Sequence, residues 1–172
     1  MPKYSQDDAE ISDGVNLLIS ILVRYPEVGA IDYNPDNLSL KLTFMLSNII
    51  SEADFIEMKQ ILVESIEVYH SLEGVVAAFY NIEMSVCEQV TILRIVRDVK
   101  TLSKGEIALI IALLREKLKG LLVTDCNDAM LEEDLMVQEE LIEDMLENLR
   151  KEHAGRKLIG IREDGRVLVF NK

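Results

Sequence analysis

The chain has 172 residues with a net charge of −13 and apolar residues at 49%, without tryptophan. That length suits one domain of ordinary size plus an appendage, with a core of Ile, Leu and Val. The acidic balance excludes a nucleic-acid surface over the whole molecule, because phosphate backbones demand a basic footprint.

The opening Met1 to Asp13 is polar and acidic, lacking the basic-then-apolar order of a secretory leader, so the expected location is the cytoplasm. The longest apolar run tested as a membrane span, Ile107 to Leu114, is eight residues, against roughly 20 for a bilayer. Cys87 and Cys126 form no CxxC pair and are read as small buried apolar residues.

Residues 1–10 are expected to be irregular. Ser12 or Asp13 then caps a helix with Val15, Leu18, Ile19 and Leu22 on one face, ended by Pro26. Val28 to Tyr33, a turn at Asn34-Pro35-Asp36-Asn37, and the alternating Leu38, Leu40, Leu42 and Phe44 predict a hairpin. Ser51 and Asp54 resemble a capping box, opening a helix through Phe55, Met58, Leu62, Ile66 and Tyr69 to Gly74.

The even apolar positions Val76 to Val86 predict a strand. Residues 90–96 satisfy both strand and helix patterns, and their β-branched content favours a strand. Ser103 and Glu106 open a second capped helix from Lys104 to about Lys119, with Gly120 after it; its nearly unbroken apolar run implies burial on most sides. The expected fold is α+β, an antiparallel sheet with helices packed on one face, plus a C-terminal amphipathic helix and a β-hairpin. Two units are expected: an α+β core over residues 1–124 and an arm over 125–172.

Charge reverses within the arm. Residues 125–149 hold ten acids and no base, and residues 150–172 hold seven bases and three acids. Asn127 or Asp128 can cap a helix carrying Glu132, Glu133 and Asp134 at its start and Arg150 and Lys151 at its end, which suits the helix dipole. Leu131, Leu135, Ile142, Met145 and Leu149 follow a three-and-four spacing, widened by Leu141 and Leu146, so one side of the helix needs cover, from the chain's own core or from a second copy. Asp164-Gly165 has the chemistry of a two-residue turn, pairing Ile161 with Leu168 and Ile159 with Phe170 on one apolar face. Such a hairpin needs a sheet edge or core, its own or a partner's.

No GxSxG, Walker A, dinucleotide-glycine or HExxH pattern occurs, so no catalytic residue, metal site or cofactor is assigned. Asp125-Cys126-Asn127-Asp128 fails as a calcium loop because Met130 stands where the glycine belongs and Met136 where the glutamate belongs. His70 and His153 are read as structural or solvated. The leading expectation is a non-catalytic interaction protein, a homodimer associating through Leu131, Leu135, Ile142, Met145, Leu149, Ile159, Ile161, Leu168 and Phe170. The alternative is a nucleic-acid or ribosome-associated module using basic residues in 94–119 and 150–166, above all Arg94, Arg97, Lys100, Arg156 and Lys157. Against it, residues 94–119 contain no aromatics for base stacking, and their bases can instead meet the acidic helix.

Overall fold

A computed structural model describes residues 6–124, 132–151 and 155–172. They form α1 (Gln6–Arg24), β1 (Ala30–Asn34), β2 (Ser39–Leu46), α2 (Glu52–Glu73), β3 (Tyr80–Cys87), β4 (Val90–Asp98), α3 (Lys104–Lys117), α4 (Glu132–Lys151), β5 (Leu158–Glu163) and β6 (Arg166–Asn171). The strands make one antiparallel sheet in the order β3-β4-β2-β1-β5-β6. The fold is α+β with its helices on one face, as expected.

Alternation decides what each sheet face carries. Ile31 and Tyr33 from β1, Leu40, Leu42 and Phe44 from β2, Leu93 and Ile95 from β4 and Leu158 from β5 are buried beneath the helices. Against them lie Leu17, Leu18, Ile21 and Leu22 of α1, Met58, Leu62 and Ile66 of α2, and Ile107, Ile110, Ile111 and Leu114 of α3. Gly160 lets α1 lie flat across β5: a Cβ there would stand 2.9 Å from the Leu22 side chain.

Both capping boxes place their serines as expected. Ser51 Oγ accepts from the Asp54 N–H at 3.1 Å, and Ser103 Oγ accepts from the Glu106 N–H at 3.2 Å. Gly74, at φ 70°, closes α2 in the left-handed conformation. Residues 90–98 are a strand throughout.

Other boundaries differ from the sequence reading. α1 starts at Gln6, upstream of Ser12, since residues 6–13 contain no proline or glycine to halt helix propagation. β3 starts at Tyr80, later than Val76, because its partner β4 ends at Asp98 and Tyr80 is already opposite Arg97. α3 is amphipathic: Ala112 is exposed and Leu109 and Leu113 are half-buried. It lies between α2 and α4, each covering part of its surface. Cys87 is exposed, at the β3 end beside the turn, where no described helix covers it; Cys126 and His153 lie outside the described residues.

The C-terminal elements join the same sheet and helix layer. β5 pairs with β1, Ala30 opposite Ile161 and Tyr33 opposite Leu158. α4 packs along α1, and Arg24 meets Glu139 at 2.6 Å. Arg150 donates to the Val99 carbonyl at 2.9 Å and to that of Leu102, and Glu143 accepts the Lys104 N–H at 2.9 Å. Arg162 of β5 donates to the carbonyls of Leu22, Tyr25 and Val28, tying the hairpin to the end of α1. Among the described residues no helix is long and apolar enough to cross a membrane.

Candidate interaction surface

The face of the sheet turned away from the helices is assembled from side chains that alternate with the core. Register places them in rows across the strands. One row reads Glu83, Arg94, Thr43, Ala30, Ile161, Leu168, and the next reads Asn81, Val96, Lys41, Asp32, Ile159, Phe170. Met45 lies opposite Ile92 in a third. No helix among the described residues covers these rows.

At the hairpin end the face is apolar: Ile159, Ile161 and Leu168 are half-buried, and Phe170 is 49% exposed. Positive φ at both Asp164 (50°) and Gly165 (76°) makes the connection a two-residue turn of the expected type, and it brings Ile161 opposite Leu168 and Ile159 opposite Phe170. The expected side-chain pairing is therefore present, on the uncovered side.

The charges that project from this face are mixed. Asp32, Glu83 and Glu163 stand among Lys41, Arg94, Arg166 and, at the strand ends, Lys157 and Lys172; Asp98 instead turns to the Arg97 guanidinium. Lys41 lies 3.9 Å from Asp32, Lys172 donates to the same carboxylate at 2.8 Å, and Arg94 donates to Ser85 Oγ at 2.9 Å. A shallow cleft of about 470 Å³ opens here, with Asp32, Lys41, Val96, Lys157 and Lys172 in its walls.

The helical stripe has a different fate. Ile142, Met145 and Leu149 are buried with Leu146 in the chain's own core, because α1 supplies the cover they need. Leu135 is half-buried, and Leu131 lies outside the described residues. What remains exposed on α4 is Met136, Val137 and Leu141. A further exposed apolar group on and after α2, Val68, Leu72 and Val76, has the exposed acids Glu64, Glu67 and Glu73 around it.

The basic residues are not brought together. Arg97 is 1% exposed on the helix-covered side, where Glu106 and Asp98 take its guanidinium, so it is not a surface residue at all. The physical reason is alternation: Arg97 shares the parity of the buried Leu93 and Ile95. Arg94 is on the opposite face, Lys100 is exposed beyond the end of β4, Arg156 is exposed ahead of β5, and Lys157 pairs with Asp36 at 3.4 Å. Arg115 meets Glu27, not the acidic helix.

Two features escaped sequence reasoning. Met45, Ile92 and Val96 extend the open face, and their alternation with core residues was the available signal. The second is a buried polar cluster: Arg97 is held by Glu106, Asp98, Thr101 and the Phe79 carbonyl, and His70 Nε2 meets Glu106 Oε1. Thr101 Oγ1 donates to Asp98 at 2.6 Å. Burial works to raise the Asp98 pKa, but the Thr101 hydroxyl, the Arg97 charge and the Phe79 N–H outweigh it and hold the carboxyl below its ordinary range. The cluster pins α2, β4 and α3 to one another, and a lone acid and a lone base in apolar runs were its only trace in the sequence.

Comparison with protein-family models, with curated proteins and with solved structures finds no match to this chain.

Proposed function

We propose that this chain is a non-catalytic interaction protein that self-associates through its C-terminal hairpin. The supporting observation is the apolar quartet Ile159, Ile161, Leu168 and Phe170 on a sheet face that no described helix covers. Contiguous apolar surface at cross-strand spacing marks an association site.

Charge argues for a second copy as the occupant. Two chains of net charge −13 repel over most of their surfaces. The open face, where Asp32, Glu83 and Glu163 stand among Lys41, Arg94, Lys157, Arg166 and Lys172, lacks the acidic excess that repels elsewhere. The apolar group on α2, set among Glu64, Glu67 and Glu73, does not offer the same relief.

The experiment replaces exposed residues only. Leu168→Glu with Phe170→Glu should weaken self-association on the order of 100-fold, since four such side chains, two from each copy, lose part of their apolar contact and fully burying just one is worth about 1.5–3 kcal/mol. Met136→Glu with Val137→Glu, on the exposed side of α4, should leave it unchanged. If the α4 pair dissociates the assembly and the hairpin pair does not, the hairpin is not the interface.

A further inference from the structure

The way two hairpins meet can be read from the backbone; the inference rests on the self-association proposed above and gives it a geometry. In an antiparallel pair closed by a two-residue turn, the first residues on either side exchange hydrogen bonds, and bonded positions then alternate. Glu163 and Arg166 are that first pair, so Arg166, Leu168 and Phe170 bond inward to β5. The Lys172 N–H continues the pattern, donating to the Lys157 carbonyl at 2.7 Å. The N–H and C=O groups of Val167, Val169 and Asn171 therefore point out from the edge of the sheet.

β6 is the last strand of the six. Natural edges are blunted by proline, by mid-strand charge or by bulges. Between Arg166 and Lys172 this strand has neither a proline nor a charge, and its pairing with β5 is unbroken. The opposite edge, β3, carries Glu83 in mid-strand. The two edges of the sheet thus differ, and β6 is the one fit to accept another strand.

We propose that β6 pairs antiparallel with the β6 of a second copy, with Leu168 at the twofold axis, joining two six-stranded sheets into one. In this register Val167 bonds to the partner's Val169, Leu168 faces the partner's Leu168, and Arg166 lies opposite the partner's Phe170, a cation over a ring. Moving the axis to Val169 instead sets Arg166 opposite the partner's Lys172, two cations face to face. Charge therefore favours Leu168 over Val169 as the axis, and an axis at Val167 would run the ladder into the Asp164-Gly165 turn sooner and pair fewer residues.

The helix layer leaves room for this. α1 packs on β1, β5 and β6, so it is centred about one strand in from the edge. With strands about 4.8 Å apart, the two α1 helices stand roughly 14 Å from each other, beyond the 8–10 Å of direct helix packing. On the open face the two apolar quartets become continuous across the axis.

The test uses the full chain with Cys87→Ser and Cys126→Ser, to which single cysteines are added, and reads both solution mass and disulfide formation under mild oxidation. Leu168→Cys should yield a covalent dimer. Arg166→Cys and Phe170→Cys should cross-link when mixed and far less alone. Val169→Pro, which deletes an outward N–H at a position where an edge strand tolerates proline, should weaken the dimer by about tenfold or more. A dimer that does not cross-link at residue 168 and is indifferent to Val169→Pro overturns the edge pairing and leaves self-association standing. A monomeric parent chain overturns both. Should Val169→Pro fail to fold, the cysteine pattern alone decides.

Discussion

Arg97 grips Glu106 with two nitrogens, Nε donating to Oε2 and Nη2 to Oε1 at 2.7 Å, both side chains being nearly wholly buried. A buried ion pair gains little over an apolar pair, but breaking it by removing one partner strands a charge away from water. Glu106→Leu is therefore expected to cost about 3–5 kcal/mol in urea unfolding. Adding Arg97→Met should cost less than the sum of the two single changes, because the stranded charge is then gone.

Tyr25 ends the α1 region with its ring under the Arg24 guanidinium at 4.7 Å, and among the described residues its buried hydroxyl has no hydrogen-bond partner. Burial is the main reason its pKa is pushed up to about 12; Arg24 opposes the shift and Glu139 and Glu27 add to it. A phenol that holds its proton more tightly in the folded chain contributes stability that is fully present below its unfolded pKa of about 10 and is lost as pH rises toward 12. Melting temperature should fall across that alkaline window, less steeply in Tyr25→Phe. At neutral pH the same change should alter stability by no more than about 1 kcal/mol, since it removes a hydroxyl that bonds to nothing among the described residues.

Gly160 faces α1 in the middle of β5, with Leu22 Cδ1 at 2.9 Å, Ile31 Cγ2 at 3.2 Å and Leu18 Cβ at 3.4 Å from where a Cβ would stand. Gly160→Val should lower stability by about 1–3 kcal/mol in thermal unfolding, the usual cost of overpacking a filled core. Gly160→Ala should cost less, because the Leu22 methyl group can shift. A valine tolerated without loss would mean that α1 is not seated on the hairpin as described.

Much of this architecture is legible in the residues. The alternation from Leu40 to Phe44, the serines at 51 and 103, and Asp164-Gly165 each state a local rule that nothing distant overrides. What pattern could not supply is the identity of distant partners. Ile142 and Leu149 announce that α4 needs cover, yet only the fold reveals that α1 provides it. Arg97 read as a surface base because the burial of its parity is set by β2 and β3 on either side. The hairpin face was legible as apolar from Ile159 to Phe170; that no described helix lies over it depends on topology alone.

The most direct test of the central claim is the solution mass of the unmodified full chain by sedimentation equilibrium across a wide concentration range. The account predicts a reversible monomer–dimer equilibrium, the dimer dominant at the upper end and lost with Leu168→Glu and Phe170→Glu. A mass that stays at one chain throughout would contradict it.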